Sequence, residues 1–243
     1  MLSDWITPDW PAPKRVRACA TTRRGGVSGG PYDSLNLGDH VGDTPAAVAE
    51  NRNRLVAALE LPAPPLWLNQ VHGCRVVEAA KVQSGCDADA SVSRAPGRVC
   101  AVMSADCLPL LLCDRAGSCV AAVHAGWRGL ADGVVEAALE QMQRPASEIL
   151  AWLGPAIGPD HFVVGEDVRR QFLMHNSQAE AAFHPAGERW LADIYALARQ
   201  RLRNSGVSAI FGGGECTFRD RERYFSYRRD GTTGRMASLI WLT

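Results

Sequence analysis

Three short apolar runs, residues 99–103, 108–113 and 118–124, follow one another with only a few residues between them. They read as consecutive β-strands. The way they are interrupted constrains the fold most. The first gives way to Ser104-Ala105-Asp106-Cys107-Leu108-Pro109, and the third runs into His124-Ala125-Gly126-Trp127-Arg128-Gly129. An apolar strand gains nothing by ending in a thiol or an imidazole unless their lone pairs are used. The segment Asn69-Gln70-Val71-His72-Gly73 follows the strand-like residues 66–68 in the same way. Strand ends from one sheet can converge at one edge, so the pattern asks for a fold that gathers His72, Cys107 and His124 there. Two imidazoles and a thiolate make a three-ligand metal site with one open position, as catalytic zinc is usually held.

The residues alone leave other uses open. Isolated His and Cys also serve as core or turn residues, and spacings this long lack the local signature of a Cys-x-x-Cys pair. Cys107 with His124 also makes a nucleophilic pair, with Asp106 placed to orient the base. A His₂Cys set is also the composition of a blue-copper site. The chain has six histidines, His40, His72, His124, His161, His175 and His184, and no His-x-His. Multicopper chemistry needs more, in close pairs, so zinc precedes copper.

Charge excludes some partners. Lys+Arg and Asp+Glu are both 26, which argues against broad electrostatic capture of nucleic acid or an anionic membrane. No apolar run approaches the roughly 18–20 residues that span a bilayer. Residues 1–13 contain Asp4, Asp9 and three prolines and do not read as a secretory signal. A cytoplasmic location is expected, with the eight cysteines mostly free thiols. Cys100, Cys113 and Cys119 sit in or beside apolar runs and read as small core residues. No protein partner is evident, and a small-molecule substrate is expected.

Helical periodicity predicts helices at about residues 45–59, after Thr44 as N-cap, and at 127–142, 167–175 and 190–204. Further strands are expected at residues 75–78, 149–153, 162–164 and 209–211. Residues 224–227 and 236–241 are expected to form a terminal hairpin. Strands in runs and strands between helices together favour an α+β fold with mixed sheets.

Residues 21–38 hold Thr22-Arg23-Arg24-Gly25-Gly26 and Ser34-Leu35-Asn36-Leu37-Gly38, neither a Walker loop nor Gly-x-Gly-x-x-Gly. Its glycines let backbone N–H groups face an anion, Arg23 and Arg24 add charge, and Ser34 and Asn36 offer neutral hydrogen bonds. Taken alone, it reads first as a solvated loop. Arg228 and Arg229 form a second basic turn that suits a phosphate or carboxylate, or an ordinary charged hairpin tip. Arg128, at a helix start, opposes the dipole there and fits an anionic partner.

Together these segments, with Leu153-Gly154-Pro155-Ala156-Ile157-Gly158 and Phe225-Ser226-Tyr227-Arg228-Arg229, resemble the YfiH-type polyphenol oxidase/laccase-domain family across the whole chain. Its members are also described as purine nucleoside phosphorylases. The resemblance implies a four-layer α/β/β/α sandwich, a single domain over residues 1–243, and zinc on His72, Cys107 and His124. It implies phosphorolysis of adenosine, inosine, guanosine and methylthioadenosine, and hydrolytic deamination of adenosine. The family is also linked to copper-dependent phenol oxidation and to peptidoglycan-precursor editing, and its fold is shared with bacterial toxins that use a Cys/His pair. Under this resemblance Arg23, Arg24, Arg128, Arg228 and Arg229, with Ser34 and Asn36, are candidates for phosphate or ribose contacts.

Overall fold

The computed structural model describes residues 4–243. The stretch read against a secretory signal lies partly outside them, at residues 1–3. In chain order the strands are β1 (Val16–Ala20), β2 (Val76–Glu78), β3 (Ala90–Ser93), β4 (Val99–Ser104), β5 (Leu108–Asp114) and β6 (Val120–Ala125). They continue with β7 (Ile149–Leu153), β8 (Val163–Val164), β9 (Phe183–Ala186), β10 (Arg189–Ala192), β11 (Ala209–Gly212) and β12 (Met236–Leu242). The α-helices are α1 (Pro45–Ala58), α2 (Trp127–Asp132), α3 (Val134–Met142), α4 (Glu166–His175), α5 (Ile194–Asn204) and α6 (Tyr227–Asp230).

β4, β5, β6, β7 and β12 are buried and mostly apolar along their whole length because both of their faces are covered. A mixed six-stranded sheet runs in the order β11-β7-β5-β6-β3-β2, and an antiparallel three-stranded sheet in the order β1-β12-β4. In β5, Leu108, Leu110 and Leu112 point to a core shared with Leu130, Val134, Ala138 and Leu202 of the helices. The alternate residues Leu111 and Cys113 point the other way, to Cys100 and Val102 of β4 and Ile240 and Leu242 of β12. The far face of the small sheet carries Val99, Ala101, Met103, Leu239 and Trp241, which pack with Leu55 of α1 and with Leu35 and Leu37. Helix, sheet, sheet and helix therefore stack as four layers, the α/β/β/α sandwich expected. A third small sheet, β8-β10-β9, lies outside them in topology.

Several local expectations are corrected. The helix expected over 127–142 breaks at Gly133, whose φ of +106° is left-handed and separates α2 from α3. The helix expected from residue 190 begins at Ile194, where the Asp193 side chain accepts from the Ala196 N–H as N-cap. Residues 189–192 instead pair with β8 and β9. The terminal hairpin does not form. Ser226 accepts from the Arg229 N–H and caps the short α6, while β12 pairs with β1 and β4. Residues 66–68 contribute one isolated bridge, Leu66 to Cys100, rather than a strand.

Candidate metal centre

β5 and β6 are antiparallel neighbours, with Leu108 opposite Ala125 and Pro109 opposite His124. Cys107, in the turn just before β5, therefore lies beside the end of β6. His72 arrives from a separate loop, and a single carboxylate brings it there. Asp89 is fully buried and precedes β3. Its Oδ1 accepts from the His72 N–H at 2.9 Å and from His124 Nδ1 at 2.8 Å. Its Oδ2 accepts from the Gly73 N–H at 2.7 Å and the Val71 N–H at 3.3 Å. Because a carboxylate only accepts, His124 donates from Nδ1 and keeps Nε2 free for the cluster. The sequence assigns no role to Asp89, which precedes the half-polar strand Ala90–Ser93. Asp106 does not orient the base as expected. Its two oxygens accept from Thr217 Oγ1 at 2.6 Å and the Arg228 N–H at 2.7 Å.

One donor atom from each of His72, Cys107 and His124 lies within 4.8 Å of the others. Cys107 Sγ is 3.7 Å from His72 Nε2, and the two imidazoles meet edge to face with centroids 4.8 Å apart. His72 and Asp106 both hold left-handed φ, +61° and +92°, which non-glycine residues seldom keep without support from their surroundings. Gly126 completes the enclosure. A Cβ there would lie 2.9 Å from His72 Cδ2 and 3.1 Å from Cys107 Sγ. The donor set and this space suit a borderline-soft ion held by two imidazoles and one thiolate.

The electrostatics agree. Burial alone pushes the Cys107 thiol up, but the His124 charge and hydrogen bonds from both imidazoles outweigh it and hold the thiol down at about 6. Burial alone pushes His124 down, and the Cys107 charge with the Asp89 hydrogen bond raises it to about 9. Burial opposes ionisation of Asp89 as well, yet His124 and the loop N–H groups keep its carboxyl below the usual range. In the cores no cation offsets burial, which pushes Cys100 to about 12 against a Ser91 hydrogen bond and, with the Asp114 charge, pushes Cys113 to about 12.

Two cavities meet at the cluster. One, about 250 Å³, is lined by Trp127, Ile157, Phe162 and Ile194, with Arg128 and Arg228. The other, about 360 Å³, is lined by His40, Gln70, Ser104, His124 and Arg235. His72, Ala105, Cys107 and the 60 % exposed Tyr227 border both. Gln70 fixes its loop to β4 through the Met103 carbonyl and N–H.

Of the basic and polar candidates, only Arg128 and Arg228 line a cavity at the cluster. Arg23 donates to the carbonyls of Asp33 and Arg221 and lies over Phe225. Arg24 pairs with Asp4 and Glu222. Arg229 is taken up by the carbonyls of Thr217, Phe218 and Tyr224 and by Asp230. Ser34 bonds within its own loop, to Arg23 and Gly26, while the buried Asn36 bonds to Gly38 and Asp43 and reaches across the chain to accept from the Arg235 N–H. Arg235, absent from the sequence candidates, is the cation that the 21–38 segment does position.

Four stacked layers with a His–Cys–His group at one sheet end define a protein built around a candidate metal-binding reaction centre. The family model described as multi-copper polyphenol oxidoreductase laccase matches residues 17–243, and the chain belongs to this laccase-like YfiH family. It is 58% identical over 242 residues to purine nucleoside phosphorylase YfiH of Escherichia coli (strain K12), covering 99% of this chain and 100% of that protein. It is 57% identical over 243 residues to a purine nucleoside phosphorylase of Pseudomonas aeruginosa, covering 99% of each. Among solved structures, a Neisseria meningitidis protein superposes with a TM-score of 0.95 at 52% identity, covering 98% of this chain and 99% of that one. YlmD from Geobacillus stearothermophilus superposes with a TM-score of 0.89 at 28% identity, covering 98% and 96%. No helix among the described residues is long and apolar enough to cross a membrane.

Proposed function

We propose that this chain is a zinc-dependent purine nucleoside enzyme, a phosphorylase that also deaminates adenosine. One observation carries the proposal: His72, Cys107 and His124 converge where two cavities meet, one aromatic and one polar. The names of its full-length relatives support the substrate class. His72, Cys107 and His124 would hold the ion, and zinc bound there supplies a Lewis acid and a water of lowered pKa. Asp89 keeps His124 in the ligating tautomer and holds the His72 loop. Trp127 and Phe162 offer an apolar wall for a purine, with the Arg128 guanidinium over the Trp127 ring at 4.4 Å and that of Arg228 over the Phe162 ring at 5.5 Å. In phosphorolysis a phosphate oxygen bonds to C1′, the C1′–N9 electron pair leaves with the purine, and the purine takes a proton from solvent. In deamination water replaces the C6 amine, which leaves as ammonia. A cytoplasmic, reducing setting suits eight unpaired cysteines.

Zinc-replete protein given adenosine and phosphate should yield inosine, hypoxanthine, adenine or ribose 1-phosphate. Absence of all four refutes the proposal. A second reading rests on the metal-free pair itself, since Cys107, His124 and Asp89 have the order of a thiolate, base and orienting acid. It predicts hydrolysis of a UDP-muramoyl-serine precursor by the metal-free protein. Copper-dependent phenol oxidation comes last and predicts stoichiometric copper with a visible charge-transfer band.

A further inference from the structure

Arg235 is the most enclosed of the three arginines that line the two cavities, Arg128 and Arg228 being exposed. It is half-buried, and no carboxylate among the described residues lies within ion-pair distance of it. Its Nη1 donates to the carbonyls of Thr233 and Gly234, at 3.1 and 3.0 Å. Nε and Nη2 have no partner among the described residues. Arg24 and Arg229, by contrast, are both ion-paired. The charges of Cys107 and Asp106 act on it without contact, and burial still outweighs them, so a partly desolvated guanidinium with no anion in contact gains when one arrives.

The fold also builds a seat for it. The Arg235 N–H donates to the buried Asn36 Oδ1 at 2.9 Å, and its carbonyl accepts from the Leu37 N–H at 3.1 Å. Gly38 leaves room for the side-chain stem, because a Cβ there would lie 2.8 Å from Arg235 Cγ. Tyr227 flanks the guanidinium, which lies 5.8 Å from the ring centroid. The same cavity wall contains His72, Cys107 and His124. An anion on the free Nε/Nη2 edge would share a cavity with the reaction centre, and that edge matches two phosphate oxygens.

We propose that Arg235 is the phosphate-binding residue, seated by Asn36 and Gly38, and that the polar cavity is the phosphate half of the site. The proposal rests on the phosphorolysis reading and divides its substrates. Phosphate enters beside Arg235, and the purine lies across the cluster against Trp127 and Phe162. The Ser34–Gly38 segment thus serves phosphate from behind rather than by touching it.

Calorimetric titration of inorganic phosphate into folded, zinc-loaded protein tests this. Arg235→Ala should raise the dissociation constant at least about tenfold, the loss of a charge-assisted bidentate contact. Arg235→Lys should recover only part of it, and Gly38→Ala should weaken binding with the charge still present. Arg24→Ala should change nothing, and Arg128→Ala and Arg228→Ala should change it less than about threefold. In turnover, the Michaelis constant for phosphate should rise with Arg235→Ala while that for nucleoside moves little. The proposal is overturned if wild type binds no phosphate, if Arg235→Ala binds it normally, or if Arg128→Ala or Arg228→Ala matches the loss. Arg235-dependent phosphate binding without nucleoside turnover would leave the anion site standing and refute the phosphorylase reading instead.

Discussion

Cys107 and Cys113 stand at opposite ends of the same strand and have opposite chemistry. Cys113 is enclosed between the two sheets, and burial, reinforced by the neighbouring Asp114 charge, drives its thiol up to about 12. Cys107 meets the same opposing effect of burial, but His124 and His72 reverse it. Burial sets the direction for a thiol only where no positive partner is present. Replacing each residue makes the contrast measurable. Cys107→Ala should take bound metal from one ion per chain toward none and nucleoside turnover to background. Cys113→Ala should keep both and lose about 1 kcal/mol of stability, as for deletion of one buried group. Full metal content in Cys107→Ala, by elemental analysis, would end the ligand assignment.

The next largest effect is expected at Asp89, where one carboxylate orients His124 and ties down the His72 loop. Asp89→Asn keeps the size but replaces one accepting oxygen by an NH₂ that must face two donors, either the His72 N–H and His124 Nδ1–H or the N–H groups of Gly73 and Val71. Metal affinity should fall by about 10–100-fold, as at other partners of ligating histidines. A chelator competition series on wild type and Asp89→Asn reads this directly. Unchanged affinity would mean that His124 holds its tautomer without help.

The comparison also separates what the sequence shows from what it hides. Cys107 and His124 are legible because each breaks an apolar run, and adjacent strands bring such breaks together with little ambiguity. Apolar runs and helical spacing make the α+β class legible, while the four layers are anticipated only through the family resemblance. Asp89 is hidden because its work is done through loop N–H groups 16 to 18 residues away, which no local pattern marks. β1 is hidden by the polar Arg17 within it, and its pairing with β12 spans most of the chain. Arginine-rich segments mislead in the other direction. Arg23, Arg24 and Arg229 look like anion contacts, but their guanidiniums are used by backbone carbonyls and nearby acids.

Gly126 tests how closely the cluster is enclosed. The added methyl of Gly126→Ala would press on both His72 and Cys107. The His72 loop is tied by Asp89 and can yield only by stretching those bonds. Metal affinity should fall, but by less than in Asp89→Asn, with the four layers unaffected and the far-ultraviolet circular dichroism unchanged. Affinity equal to wild type would show that the loop moves freely.

The smallest effect concerns pH in the metal-free protein. His124 is raised from 6.5 to about 9, so its contribution to stability is complete below 6.5 and is lost as pH climbs through 9. Cys107 is lowered from 9.0 to about 6, so its contribution is complete above 9 and is lost as pH drops through 6. Between 6.5 and 9 the folded pair carries its one proton on the imidazole, and the unfolded pair carries one on the thiol. The number of protons is the same, so the two slopes cancel and unfolding driven by this pair has no pH dependence there. Thiolate absorbance near 240 nm should nevertheless develop around pH 6, well below the range of the core cysteines. The stability difference between wild type and Cys107→Ala/His124→Ala should stay level across the window. A tilt of about 1.4 kcal/mol per pH unit, one proton's worth, would show that only one of the two groups is ionised and that the contrast with Cys113 is one of exposure, not of charge.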